Sequence, residues 1–161
     1  MDRSRGEAGT VVSVNVSRTK GVRKASVPIC LIVPGLGFEG DAHAGDGHRQ
    51  VSLLALESIE KMRAVGLDVG PGDFAENITT SGLELVTLPI GTVLRVGDGA
   101  RLDVSQIGKV CHARCAIYEQ AGDCVMPREG IFGRVLTGGP VGPGDRVEVE
   151  SVPDDKEKDH A

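Results

Sequence analysis

Tryptophan is absent from this chain, and its 161 residues include one tyrosine and three phenylalanines. A protein that holds single-stranded nucleic acid needs aromatic faces on which bases stack and a basic groove for the backbone. The formal charge of −5 argues against the groove as the composition argues against the stacking, so nucleic acid is not an expected partner. Long apolar runs are missing as well. Nowhere does the chain reach the roughly 18 successive apolar residues of a membrane helix. The opening "MDRSRGEAGT" has no apolar stretch of the kind a secretory signal requires. These absences predict a cytoplasmic protein with no membrane partner. Cysteine is scarce too: there are four. In a reducing compartment thiols stay free, which disfavours a disulfide framework.

Glycine is abundant instead, with 23 residues, about twice the usual fraction of ~7%. So many glycines supply positive-φ turns and suit short strands joined tightly. The length fits one domain that can bury enough surface to fold without staples. Charge is unevenly spread. Residues 1–24 hold Arg3, Arg5, Arg18, Lys20, Arg23 and Lys24 against Asp2 and Glu7, a net +4, which leaves −9 for the remainder. A local basic patch of this kind can bind a small anion on an acidic protein.

Alternating valine and small polar residues in "TVVSVNVS" (10–17) predict a half-buried strand. "SVPICLIV" (26–33) reads as a second strand, with Pro28 demanding an edge or a strand start. "GLGFEGDAHAGDGHRQ" (35–50) is a loop too rich in Gly, Asp and His for core, and long loops in compact domains often carry function. "VSLLALESIEKMRAVG" (51–66) carries the strong helix signal: Leu56, Ile59, Met62 and Leu53 share a face, Glu57 and Lys61 pair at i,i+4, and Gly66 is set to cap the end. "GTVLRVGDGARLDVSQI" (91–107) predicts a hairpin of strands 92–96 and 101–106. "CAIYEQAG" (115–122) suits a short helix, and "FGRVLTG" and "DRVEVE" read as closing strands. "VGPGD" occurs at 69–73 and again at 141–145. Pro followed by Gly meets the demands of a type II turn, so two alike turns are expected. The expected organisation is a flexible N-terminus over 1–9, one domain over 10–152 and a disordered charged tail over 153–161. The fold class is mostly β, barrel-like, with one main helix, because short antiparallel strands need their edges removed.

"KVCHARCAIYEQAGDC" (109–124) gathers Cys111, Cys115 and Cys124 beside His112. Three chemistries are open. Structural zinc needs four ligands, usually in two close pairs. Cys111 and Cys115 make one, and Cys124 with a histidine would have to complete it. Burial is the second, since cysteine behaves as a small hydrophobe. It suits Cys115, Cys124 and above all Cys30 in "PICLIV". A reactive thiolate is the third. Cys111 follows a strand and stands among Lys109, His112 and Arg114, and nearby cations favour the thiolate that acts as nucleophile or metal ligand. Asp41, His43, Asp46 and His48 could assemble a further metal site but match no standard spacing. Arg49 could bind phosphate in bidentate fashion.

Taken together, "KGVRK", "GFEGDAHAG", "HRQVSLLALESIEKM", "GDFAENITTSGLEL", "LPIGTVLRVG", "LDVSQIGKVC", "EGIFGRVLTGG" and "VGPGD" resemble the MOSC domain family over roughly residues 10–150. The resemblance implies a β-rich barrel-like fold and an association with molybdenum cofactor, a pterin dithiolene that ends in a phosphate. It also implies that the cysteine of the "SQ…C" segment, here Cys111, is the functional one, as molybdenum ligand or as carrier of a persulfide sulfur. Lys24, Arg49 and Lys109 are then candidates for the cofactor's phosphate and pterin oxygens. Asn77, Thr79, Thr80 and Gln106 are candidates for its pterin edge. Partners would be proteins that make or accept the cofactor. Cofactor sulfurases draw sulfur from a separate pyridoxal-phosphate domain that this chain is too short to include, so that cofactor is not expected. Reduction of N-hydroxylated compounds is the activity of some members. Cys115 and Cys124 are additions to the family pattern and could resolve a persulfide. A non-catalytic cofactor carrier and a zinc-stabilised interaction module remain the alternatives.

Overall fold

The computed structural model describes residues 7–18, 24–41, 50–108 and 129–153. Eleven strands are found among them: β1 (Ala8–Val16), β2 (Ala25–Val27), β3 (Cys30–Val33), β4 (Gly37–Phe38), β5 (Val51–Ala55), β6 (Ile78–Ser81), β7 (Val93–Val96), β8 (Ala100–Ile107), β9 (Ile131–Thr137), β10 (Gly139–Val141) and β11 (Arg146–Ser151). The α-helix, α1, spans Leu56–Ala64. Seven strands run in the order β11-β7-β8-β9-β5-β6-β1, and β1 pairs with β11 to close them into a barrel. β2 extends the sheet beside the end of β1, while β10, β3 and β4 form a small second sheet. Closure leaves the barrel without unpaired edges, which is how short strands avoid edge-to-edge association.

Every neighbouring pair in the barrel is antiparallel except β5 and β6, which run parallel. A parallel pair needs a crossover, and α1 with the segment after it supplies one. The helix is shorter than the periodicity predicts, because Val51–Ala55 is a strand. The reason is burial on both faces. Val51, Leu53 and Ala55 point into the barrel core, and Leu54 packs outward with Ile59, Met62, Phe74 and Phe132 under the helix. A strand covered on both sides reads as a continuous apolar run and cannot be told from helix by period alone. Gly66 does end the helix, with its N–H on the Arg63 carbonyl at 3.0 Å.

The predicted strand over 26–33 is two strands in two sheets, with Pro28 in the break. The hairpin stands close to its predicted bounds, Leu94 facing Leu102 across it. β1 begins at Ala8, opposite Glu148. Its alternation fails after Val11, where the register with β6 shifts at a bulge and Ser13, Val14 and Asn15 are all buried. A bulge re-aims side chains, and here Val11 and Val14 both join the barrel core while Ser13 and Asn15 lie on the opposite face, covered by Glu76 and Thr79.

The repeated pentapeptides fold alike. In each, the Asp N–H donates to the carbonyl of the first glycine, Asp73 to Gly70 at 3.1 Å and Asp145 to Gly142 at 3.2 Å. The same Asp side chain accepts that glycine's N–H, at 2.8 Å and 2.9 Å respectively. Gly72 and Gly144 sit at φ 86° and 92°, the left-handed region a type II turn requires at its third position. The tail 154–161 and the expected helix 115–122 lie outside the described residues.

Candidate functional site

β8 ends at Ile107, opposite Ile131 of β9, and Gly108 donates its N–H to the Gly130 carbonyl at 2.6 Å. The segment that carries Lys109 and Cys111 therefore leaves and rejoins the barrel at one point on its rim. Cys111 and Lys109, like Arg49, lie outside the described residues. Gln106 stands at this rim, its amide donating to the Gly108 carbonyl at 2.7 Å. Just beyond the closure, Glu129 accepts hydrogen bonds from Ser58 at 2.7 Å and Lys61 at 3.0 Å, which ties the rim to α1.

Asn77, Thr79 and Thr80 occupy another place. Ile107, Ile131, Leu53 and Ile78 form one register row across β8, β9, β5 and β6. Three inter-strand steps separate its ends, about 14 Å along the wall. The Asn77 amide is fully enclosed and bonded within the protein: Oδ1 accepts the Ser52 N–H at 3.0 Å, and Nδ2 donates to the Asn15 carbonyl at 3.2 Å. The Thr79 hydroxyl donates to Glu76 Oε2 at 2.6 Å and accepts from Asn15 Nδ2 and Ser13 Oγ, each at 3.2 Å. Thr80 is buried with no partner for its hydroxyl among the described residues.

Lys24 lies at the start of β2. Its ammonium is 2.7 Å from Asp41 Oδ1, and both side chains are wholly shielded from solvent. Asp41 also accepts the Ser17 N–H at 3.0 Å. The Lys24 N–H donates to the Gly72 carbonyl at 2.8 Å, so the first "VGPGD" turn, the ion pair and the polar interior form one connected assembly. The structure thus brings Lys24, Asn77 and Thr79 together as internal supports and sets Gln106 apart at the other rim. Cys30 is buried, as its apolar context predicts. Burial pushes its thiol pKa up, partly offset by a backbone contact with Leu31, so it is an inert thiol.

Glu76 was not legible as a special residue, since it stands in "GDFAENITT" as an ordinary acid between Ala75 and Asn77. Its carboxyl is fully buried and its pKa is pushed up to about 7 by desolvation, against the hydrogen bonds from Thr79 and the Gly72 N–H at 2.9 Å. No group of three or more His, Cys, Asp and Glu side chains suited to a metal occurs among the described residues. Among them, too, no helix is long and apolar enough to cross a membrane.

Comparison with solved structures finds the same architecture. YuaD of Bacillus subtilis superposes with a TM-score of 0.76 at 19% identity, over 91% of this chain and 97% of that one. YiiM of Geobacillus stearothermophilus gives 0.66 at 22% identity, over 88% of this chain and 74% of that one. YiiM of Escherichia coli gives 0.64 at 22%, over 89% and 70%. Identities this low speak for the fold alone. Comparison with curated proteins gives no match. Residues 39–148 match the family model of the MOSC domain, more than half of the chain, and this protein belongs to the MOSC domain family.

Proposed function

We propose that this chain binds molybdenum cofactor, with the Cys111 thiolate as molybdenum ligand or as carrier of a sulfur atom destined for the cofactor. The observation that supports it is the family match combined with the place of Cys111, a few residues beyond the Gly108–Gly130 closure of the barrel rim. The donor set has the right chemistry. A thiolate suits a soft metal, while Lys109 and Arg49 suit the oxygens of a phosphate. The Gln106 amide offers neutral hydrogen bonding at the same rim. Lys24, Asn77 and Thr79 act as buried supports of the barrel wall, and Thr80 is buried beside them. When bound, the cofactor would supply a metal centre able to exchange oxygen and sulfur ligands.

In the sulfur-carrying form the Cys111 thiolate attacks the outer sulfur of a donor persulfide. The donor's S–S bond breaks, a new S–S bond forms on Cys111, and the donor leaves as a thiolate, with no net change in electrons. The proposed partners are the proteins that make or accept the cofactor. The protein works as a carrier if it only hands the cofactor on, and as an enzyme if it reduces N-hydroxylated compounds.

Cys111→Ser tests the assignment. Serine keeps the shape but stays protonated and is a poor soft-metal ligand. The variant is expected to melt with the parent and to lose molybdenum retention and persulfide loading. Retention of both at parental levels would remove Cys111 from the site. Turnover of an N-hydroxylated base by the parent separates enzyme from carrier.

A further inference from the structure

The buried carboxyl of Glu76 has no role in the functional reading above, and its surroundings are unusual. Oε2 takes two donors, the Gly72 N–H at 2.9 Å and the Thr79 hydroxyl at 2.6 Å. Oε1 is enclosed with no hydrogen-bond partner among the described residues. Among the described residues, the groups that face it are neutral. β1 presents Asn15, whose Nδ2 donates to the Glu76 carbonyl at 3.1 Å, with Ser13 behind it, and β6 presents Thr79. In the preceding turn the Asp73 carboxylate is directed to the Gly70 N–H. The Lys24 ammonium, beyond Gly72, is engaged with Asp41. The residue before Glu76 is also strained: Ala75 sits at φ 65°, a left-handed conformation that costs a non-glycine residue energy and persists only where the surroundings impose it.

We propose that Glu76 is a proton-operated latch: its neutral carboxyl holds the 70–76 turn shut on β1 and on the start of β2, and its ionisation lets that turn open. A neutral carboxyl leaves at most one uncharged group unsatisfied at Oε1. A carboxylate there would have the Thr79 hydroxyl, the Gly72 N–H and weaker help from the Glu76 and Phe74 N–H groups. That is too little to offset the loss of water in a dry interior, which is far more costly than burying the neutral form. Water reaches Oε1 only if the turn lifts, and lifting it also relieves Ala75. The first bonds lost are Gly72 N–H to Glu76 and Lys24 N–H to the Gly72 carbonyl. The carboxyl titrates at about 7 in the folded chain against an ordinary value of 4.5. Between those two values the folded chain keeps a proton that the unfolded chain has released. Stability therefore falls as pH rises through that window and levels off above it. The latch thus acts between weakly acidic and neutral pH, whatever ligand the protein carries.

The test follows the whole chain, labelled with 13C at glutamate Cδ and with 15N, from about pH 5.5 to about pH 8.5, spanning the two protonation states. Glu76 Cδ is expected to titrate near 7. Over the same range the hydrogen-exchange protection of the Gly72 and Lys24 amides should fall, by up to about 30-fold, because only the part of the window between about pH 5.5 and 7 is crossed. Glu76→Gln should keep that protection constant with pH once intrinsic exchange is divided out. Should that variant not fold, the two parental curves decide by themselves. A Cδ midpoint near 4.5, or protection that stays level while Glu76 titrates, overturns the latch.

Discussion

Removing the Lys24 ammonium should unfold the protein more readily than it weakens any ligand. Lys24 Nζ and Asp41 Oδ1 are 2.7 Å apart with neither side chain exposed. Replacing one member of such a pair leaves the other charge buried and costs about 3–5 kcal/mol. In Lys24→Met the stranded carboxylate keeps the Ser17 N–H at 3.0 Å, which softens the loss and puts it near the lower end, about 3 kcal/mol. At ~2–4 °C per kcal/mol for a chain of this size, the melting temperature should drop by about 6–12 °C. Asp41→Asn, which removes the carboxylate facing the ammonium, should cost about as much. The double variant Lys24→Met/Asp41→Asn buries no charge, so it should cost clearly less than the two singles together. The coupling should be on the order of 2 kcal/mol. Urea unfolding of the four proteins gives the cycle directly. A Lys24→Met loss below about 1 kcal/mol, with no coupling to Asp41, would refute this account. It would favour a solvent-facing ammonium whose loss instead weakens anion binding by ~1–3 kcal/mol.

The twin turns make an internal control. Gly144→Ala meets no atom within 4 Å and should cost about 1 kcal/mol for its left-handed backbone alone. In Gly72→Ala the new Cβ would lie 2.3 Å from the Lys24 carbonyl oxygen, so it should cost at least about 2 kcal/mol more; equal losses would show that the Lys24 contact can give way freely. Ala75→Gly relieves the strain at φ 65° and should raise stability by up to about 1 kcal/mol after the added flexibility of the unfolded chain is subtracted. A drop in melting temperature would mean that the Ala75 methyl, which packs among Leu54, Phe74 and Phe132, matters more than the strain.

The barrel was legible in the sequence wherever a strand had one wet face or a turn had fixed chemistry. The hairpin over 93–107 and the paired "VGPGD" turns announce themselves through alternation and through Pro-Gly. β5 did not, because Leu54 lies under the helix while Leu53 faces the barrel core, and a doubly covered strand loses its alternation. Ser13 and Asn15 read as the wet side of β1, and they are buried only because Glu76 and Thr79, more than 60 residues on, cover that face. The candidate site divides the same way. Cys111 could be singled out by its cations and its place after a strand. The enclosed partners of Asn77, Thr79 and Lys24 depend on contacts across 61 residues or more for Asn15 with Glu76 and Thr79 and on the loop return that brings Asp41 to Lys24. Such pairings leave no trace in local composition.

The central claim, that this member of the MOSC domain family binds molybdenum cofactor through Cys111, is tested most directly by elemental and pterin analysis. The full-length protein and Cys111→Ser would be purified side by side from a host that makes the cofactor. The account predicts molybdenum and pterin in equal, near-stoichiometric amounts in the parent and neither in the variant. Stoichiometric zinc with no pterin in the parent, or molybdenum and pterin undiminished in Cys111→Ser, would contradict it.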